Sequence, residues 1–190
     1  CVTLVIYRRE QGAPVPNNQT ISISSSCYGP TNLTAGYAPG VIQGQTPRGD
    51  TNCIDQSDPG YAQGKIEEYV YTACTTLPGK CADYTFSWLS CCRNSNITNL
   101  INPGSSALYL ESKLNNTIGP NTSPSFLNPG AKFFCVGQPF TWSQAASEPD
   151  YDSLYYTLAQ PWSASSTSIQ WAPGFSTQQP MTTASGFNLN

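Results

Sequence analysis

The sequence predicts an all-β protein that is stapled by disulfide bonds, and three observations support this prediction. Apolar and polar residues alternate in several short runs, as they do along a half-buried strand, and no segment sustains the period of a helix. Glycine and proline, 15 and 16 of the 190 residues, interrupt these runs throughout, as is typical of β-sandwich domains. Eight cysteines occur with no histidine, which favours disulfides over zinc sites.

The central element is the stretch from Cys81 to Asn94. Within it, Tyr84, Phe86 and Trp88 alternate with small polar residues, so the three aromatic side chains fall on one face of a strand. Cys81 precedes this strand and two adjacent cysteines follow it, so oxidised bonds can tie both of its ends to neighbouring elements. We expect the core of the first domain to be built on it.

The same alternation predicts the other strands, and a linker divides them into two domains. Residues 115–125 are rich in Asn, Thr, Pro, Gly and Ser, so we expect two Ig-like β-sandwich domains, 1–122 and 123–190. The second comprises only 68 residues, fewer than the roughly 100 of an Ig-like sandwich, and we expect it to be incomplete alone. Strands are predicted near residues 2–8, 21–24, 66–76, 108–114, 126, 132–136, 139–143, 153–159 and 167–171, with a long loop over 28–64.

The charge composition disfavours two classes of function. Charged residues make up 10% of the chain, the net charge is −3 and no basic run occurs, whereas nucleic-acid binding requires a cationic face. No apolar run approaches the roughly 18 residues of a membrane-spanning helix. A surface with so little charge has little electrostatic repulsion between copies, so charge does not oppose self-association. The chain starts abruptly at Cys1 inside an apolar run, so we expect a processed or partial chain.

The cysteines are expected to be oxidised in at least three bridges, which predicts an extracytoplasmic location. We expect the pairs Cys27–Cys53 and Cys81–Cys92, because each closes a loop beside a predicted strand end. Cys91 and Cys92 point to opposite faces of an extended segment, so we expect them to have different partners. The disulfide candidates are Cys1, Cys27, Cys53, Cys74, Cys81, Cys91, Cys92 and Cys135.

Several motifs are distributed over the chain from Tyr69 onward: Tyr84 to Trp88, Cys91 to Asn94, Ile97 to Asn99, Asn121 to Phe126, Phe134 to Pro139, Ala146 to Leu154 and Ala172 to Ser176. They resemble the N-terminal region of large secreted Bacteroidetes proteins with PKD or cadherin-like domains and gliding-motility-associated C-terminal domains. The resemblance implies a cell-surface or filament-forming structural protein of β-sandwich repeats, without an enzymatic role. The family often has a cysteine where Arg9 and Glu10 stand here, so its disulfide pairing does not transfer whole.

Three carboxylates form the candidate metal site. Glu148, Asp150 and Asp152 resemble the calcium turn of cadherin-like modules, and calcium binds six to eight oxygen atoms. The resembling family often has glycine where Tyr151 stands, and a positive φ there would strain a tyrosine. The alternative interpretation is therefore a solvated turn before a strand. No other cofactor is expected.

Catalysis has little support in the sequence. The absence of histidine excludes nucleophile pairs of the Ser-His and Cys-His types. The carboxylate pairs Glu67/Glu68 and Asp55/Asp58 could serve a glycosidase, but neither lies beside a pocket motif. We interpret them as solvated surface charge and expect no enzyme.

The sequence predicts two kinds of contact with glycans, one by aromatic stacking and one by covalent glycosylation. Trp142, Trp162 and Trp171 could form a sugar-stacking row, although burial in a core or an interface is the alternative. Five N-x-S/T sequons and the short pattern Asp152-Ser153-Leu154 predict glycosylation at Asn18, Asn32, Asn96, Asn115, Asn121 and Ser153.

Together, these features predict an extracellular or cell-surface structural protein that adheres, or assembles into a homo-oligomer or filament, through β-strand contacts. An incomplete second domain would leave a groove for a strand of another subunit, as in donor-strand complementation. The candidate donors are Cys1 to Tyr7 and Thr182 to Asn190. The first alternative is a carbohydrate-binding module of a secreted protein, and the second is an inactive hydrolase fragment.

Overall fold

A computed structural model describes residues 1–10, 12–45, 66–128, 130 and 138–181. These residues form ten strands and no α-helix, which confirms the predicted all-β class. The strands are β1 (Val2–Arg9), β2 (Asn18–Ser24), β3 (Thr31–Tyr37), β4 (Ile66–Ala73), β5 (Tyr84–Ser90), β6 (Leu108–Leu114), β7 (Ser125–Phe126), β8 (Ala146–Ser147), β9 (Trp162–Ala164) and β10 (Thr167–Ser168), and one 3-10 turn covers Pro103–Ser105.

Six strands form one sheet in the order β1-β4-β3-β2-β5-β6, and β7/β8 and β9/β10 form two small sheets. The pairs β1/β4, β3/β4, β2/β5 and β5/β6 are antiparallel. Consecutive strands of the chain are therefore often not neighbours in the sheet. The β1/β4 and β2/β5 pairs place segments that are distant in sequence side by side.

The chain divides into two compact units. One is drawn from Cys1–Thr20, Asn32–Gly79 and Gly119–Asp152, and the other from Ile21–Thr31, Lys80–Ile118 and Ser153–Asn190. Two sandwich domains that meet near residue 122 stay a prediction.

The first unit has its core where β1, β3 and β4 pair. β1 and β4 are in register over their full lengths, from Val2 opposite Ala73 onward, and this register places Leu4 opposite Tyr71. Leu4, Ala35 and Tyr71 are all buried, and Tyr71 has no solvent exposure. The Tyr71 hydroxyl donates a hydrogen bond to the Pro16 carbonyl at 2.8 Å, so the polar end of this buried ring has a partner.

The second unit has its core on β5, as predicted. Tyr84 and Trp88 are buried and Phe86 is half-buried, so the alternating aromatic residues share one face of the strand. Ile21 and Ile23 of β2 are also buried. β2 pairs with β5, so these isoleucines extend the same core.

Three disulfides occur in the described residues: Cys1–Cys74, Cys27–Cys81 and Cys91–Cys92. They confirm the prediction of at least three bridges, but the two predicted pairings and the different partners for Cys91 and Cys92 are wrong. Cys27 follows β2 and Cys81 precedes β5, and the antiparallel pairing of these strands brings the two cysteines together. Cys53 and Cys135 lie outside the described residues.

Cys91 and Cys92 bond to each other, and the peptide bond between them is cis. The prediction that they have different partners assumed an extended segment. β5 ends at Ser90 and the chain bends at Cys91, so that assumption fails directly after the strand.

Most of the predicted strands are confirmed, but 139–143 and 153–159 are wrong, since neither segment is a strand in the structure. The alternation of apolar and polar residues predicts which side chains share a face of a strand, but it does not identify the strand that pairs with it. These two segments have no pairing strand among the described residues. The predicted strand at 132–136 lies outside those residues. β3 was missed inside the predicted loop, because its Asn, Ala, Gly and Thr residues give a weak apolar pattern.

The predicted strand over 108–114 is confirmed as β6, and the face that it buries contains Tyr109 and not Leu110. Tyr109 is buried, whereas Leu110 is 46% exposed. The Tyr109 ring stacks with Trp162 of β9 at 6.2 Å between centroids, and its hydroxyl donates to Glu111 Oε2 at 2.8 Å. A packing partner that is distant in sequence therefore decides which face of β6 is covered.

Candidate assembly surface

β1 and β6 stand at the two ends of the sheet order, so among the described residues each pairs with a neighbouring strand on one side. Such edge strands present backbone N–H and C=O groups that another chain can pair with, and proteins often protect them with charge or proline. β1 contains no proline, and its charges are confined to its last two residues, Arg8 and Arg9. The β1 edge is therefore a candidate position for strand addition, whereas β6 has the charged residues Glu111 and Lys113 within the strand.

β1 is held firmly in its own chain. All eight of its residues pair with β4, and Cys1 is bonded to Cys74 beyond the end of β4. Cys1 to Tyr7 is thus paired within its own chain, and its role as a donor strand for another subunit stays a prediction. The other candidate donor, Thr182 to Asn190, lies outside the described residues.

Polar contacts fix the charged end of β1. The Arg8 guanidinium donates a hydrogen bond to the Glu67 carboxylate and lies 5.3 Å from the centre of the Tyr69 ring. The Arg8 hydrogen bond lowers the pKa of Glu67, and the same contact raises the pKa of Arg8. The Tyr69 hydroxyl also donates to Glu67, at 3.0 Å. Glu67 is thus part of an ion pair across β1 and β4, and Asp55 and Asp58 lie outside the described residues.

A second exposed feature is the segment Ser153–Ala159, which we call the open segment. Tyr155 is 92% exposed, Tyr156 is 53% exposed and Leu154 is 37% exposed. The segment has no regular secondary structure, and no backbone–backbone hydrogen bond joins it to another described residue. The open segment is therefore an exposed, uncharged and strand-patterned peptide that forms no strand ladder with the part of the chain that the structure describes.

The carboxylates of the predicted calcium site bind backbone groups. The Thr122 N–H donates to Asp150 Oδ2, and the Asp152 N–H donates to Glu148 Oε2 at 2.8 Å. Tyr151 adopts φ 63° and is 97% exposed, so the turn takes the positive φ that a tyrosine disfavours. The structure does not bring the three carboxylates within ligand distance of one another. A calcium site at this turn stays a prediction.

Within the described ranges, one group of three possible metal ligands has atoms within 4.8 Å of one another: Cys27, Cys81 and Asp83. The two cysteines form a disulfide, so their sulfur atoms are not thiolate ligands. Both carboxylate oxygens of Asp83 accept from the Ser26 N–H, at 3.1 and 3.2 Å. This cluster therefore fixes the junction between β2 and β5.

The three tryptophans proposed for sugar stacking are half-buried. Trp162 stacks on Tyr109, and Trp171 Nε1 donates to Thr177 Oγ1 at 3.3 Å. Trp142 belongs to the first compact unit, whereas Trp162 and Trp171 belong to the second. A sugar-stacking row of tryptophans stays a prediction.

All of the predicted glycosylation residues are exposed: Asn18, Asn32, Asn96, Asn115, Asn121 and Ser153. At Asn115 the side-chain Oδ1 accepts from both the N–H and the hydroxyl of Thr117, at 3.0 and 2.6 Å. This sequon forms a closed turn directly after β6. Exposure makes modification sterically feasible, and the modification itself stays a prediction.

Sequence reasoning gave no role to Arg93, which is half-buried in the second compact unit. Its Nη2 donates to the Trp162 carbonyl at 2.9 Å, while its buried Nε has no hydrogen-bond partner within the described part of the chain. Desolvation lowers the pKa of Arg93. Only the three-dimensional contact between Arg93 and β9 reveals this position, because the sequence separates the two partners by 69 residues.

No protein-family model, curated protein or solved structure gives a significant match to the chain. The described part of the chain holds no helix that is long and apolar enough to cross a membrane. The disulfides are consistent with maturation in an oxidising compartment.

Proposed function

We propose that this chain is an extracellular structural or adhesive protein, which assembles into a surface filament or fibre through β-strand contacts between copies. The observation that carries the proposal is the open segment, an exposed and uncharged peptide of strand-forming residues with no backbone pairing among the described residues. Exposed strand edges and unpaired strand-like segments are the usual means by which β proteins associate.

The surface chemistry supports the same proposal. Charged residues are 10% of the chain, compared with about 25% in an average soluble domain. Copies of this protein therefore approach one another with little electrostatic repulsion. Disulfides in both compact units keep the subunit folded outside the cell, where reducing enzymes are absent.

The motif resemblance to secreted Bacteroidetes surface proteins supports the same class of function. Those motifs include the aromatic strand β5 and the Cys91 to Asn94 block that follows it. The resemblance adds a cell-surface location to the proposal, and it does not identify a binding target.

A carbohydrate-binding module is the second candidate, and the exposed rings of Tyr155 and Tyr156 favour it over a binding site built on tryptophan. Aromatic faces that are open to solvent can stack against sugar rings. Glycan-array binding by the isolated monomer separates this candidate from assembly, because a lectin binds without associating with itself.

The decisive experiment is negative-stain microscopy of the oxidised, purified chain, together with light scattering over a range of concentrations. We expect fibres or discrete oligomers that grow with concentration. Particles that stay monomeric at every concentration, with no glycan binding, would contradict both candidate functions. Monomers that bind glycans would replace the first candidate with the second.

A further inference from the structure

We propose that the open segment, Ser153–Ala159, pairs antiparallel with the same segment of a second copy of this chain, around a two-fold axis at Tyr156. This inference rests on the proposed function and names its contact. It follows from the exposure of the segment, its unpaired backbone and its own sequence pattern.

The segment has the composition of a strand that lacks a partner. Its seven residues, Ser-Leu-Tyr-Tyr-Thr-Leu-Ala, include no charge, proline or glycine, and short segments of this kind pair readily as strands. Six of the seven are exposed, and Leu158 is half-buried. Their backbone groups form no ladder with other described residues. Pairing with a second strand would satisfy these groups and cover the apolar side chains.

The order of the side chains along the open segment favours a second copy of the same segment as the partner strand. In an antiparallel pair centred on Tyr156, Leu154 of one copy lies opposite Leu158 of the other, and Tyr156 lies opposite Tyr156. Because side chains alternate between faces, these residues form one continuous apolar face in both copies. Ser153, Tyr155, Thr157 and Ala159 occupy the other face. The face formed by Leu154, Tyr156 and Leu158 reads the same in both directions, so in an isologous contact each leucine meets a leucine of the other copy.

Charge also fits this register. No ionisable acid or base that is charged at neutral pH lies within the segment, and the register places Asp152 opposite Gln160, which is neutral. A register displaced by four residues would place Asp152 opposite Tyr156 of the other copy, and the tyrosine ring would desolvate the carboxylate. The centred register therefore avoids both charge repulsion and charge burial.

The contact closes on itself, since a two-fold strand pair consumes one open segment from each copy. It therefore makes a dimer, and a fibre would require a second contact. The outer strand β1, which pairs on one side only among the described residues, is the candidate for that second contact.

The test compares two lysine variants by sedimentation velocity of the full, oxidised chain. Tyr156→Lys places two positive charges directly opposite each other at the axis, so we expect dimer affinity to fall at least tenfold. Thr157→Lys introduces the same charge on the neighbouring exposed residue, but each lysine then lies opposite Tyr155 on the other face. We expect this control to dimerise within about threefold of the unmodified chain. Unchanged melting curves would show that both variants are folded.

A compensating pair tests the register. We expect Leu154→Lys to weaken the dimer and the double variant Leu154→Lys/Leu158→Asp to restore it, because the register places opposite charges across from each other twice. Equal association by Tyr156→Lys and the unmodified chain would overturn the inference, while fibres that persist in Tyr156→Lys would leave the proposed function standing. An unmodified chain that never associates would overturn both.

Discussion

The clearest quantitative prediction concerns the unequal contributions of the disulfides to stability. Cys1–Cys74 joins residues 73 apart in sequence, whereas Cys91–Cys92 joins adjacent residues. All four of these cysteines are exposed. Replacing either pair with alanine therefore removes a cross-link with little loss of buried packing. The variants Cys1→Ala/Cys74→Ala and Cys91→Ala/Cys92→Ala form a matched comparison.

The expected difference follows from loop closure in the unfolded chain. A cross-link removes unfolded-state entropy in proportion to the logarithm of the loop length, which gives about 4.4 kcal/mol for Cys1–Cys74 and about 1 kcal/mol for Cys91–Cys92. Domains of this kind have unfolding free energies of about 5–15 kcal/mol. Loss of the long-range bridge therefore removes a large part of the stability, while loss of the adjacent bridge leaves the fold almost as stable as before.

The assay is equilibrium urea unfolding at fixed pH and temperature, followed by the fluorescence of the four tryptophans. Free energies in water are compared rather than midpoints alone, because removal of a cross-link also expands the unfolded state and steepens the transition. We expect the two variants to differ by about 3 kcal/mol. Equal losses in the two variants, or a larger loss for Cys91→Ala/Cys92→Ala, would refute the entropic account.

Three further predictions concern single side chains. Burial raises the pKa of Tyr71 to about 12, so this tyrosine stabilises the fold below its ordinary pKa near 10.0, and that stability is lost as pH rises through 12. Urea unfolding of Tyr71→Phe should show a weaker alkaline loss, and an unaltered loss would contradict this. Arg8 lowers the pKa of Glu67, so the ionised carboxylate stabilises the fold above pH 4.5, and this contribution is lost at more acid pH. Thermal melts of Glu67→Gln should therefore show a smaller loss of stability in acid. Tyr151→Gly should stabilise the fold by up to about 1 kcal/mol, because glycine adopts positive φ freely. Asn102 also has positive φ, which asparagine tolerates, so Asn102→Gly should change the stability less. Equal effects of the two substitutions would argue against strain at Tyr151.

The sequence predicts the fold class and the longest strands well, for a local reason. Along β5 the alternation of Tyr84, Phe86 and Trp88 marks one face, and the structure buries that face. β1 carries the same kind of signal in Val2, Leu4 and Ile6. The alternation of apolar and polar residues depends only on neighbours in sequence, so a strand can be predicted from it even when its partner strands are unknown.

Strand order and disulfide pairing could not be predicted, because both depend on contacts that are distant in sequence. The β2/β5 pairing brings Cys27 to Cys81, and no local feature of either cysteine reports that contact. β3 escaped prediction for a related reason: its buried centre is Ala35, whose small side chain gives little periodic signal. An inner strand can be specified by the lack of large side chains as well as by their presence.

The candidate site was only partly predictable. The alternation in Ser153–Ala159 predicts a strand, and the structure leaves this segment without one. The disagreement is informative, because a strand pattern specifies a surface that pairs, whereas the partner must come from elsewhere in the chain or from another chain. The turn that precedes the open segment also differs from expectation. A tyrosine disfavours positive φ, which argues against a turn of this kind, yet Tyr151 adopts φ 63°.

The disulfides distinguish the two strand-like segments that we consider for the proposed assembly. β1 has the more apolar sequence and was the stronger candidate donor, but Cys1–Cys74 closes the open end of the β1/β4 pair. Release of β1 would break eight residues of pairing and would still leave its first residue attached to β4. The open segment has neither a bridge nor a ladder among the described residues. The association that we propose for it therefore requires no prior unfolding of the subunit, which makes it the more accessible contact for copies that meet as folded proteins.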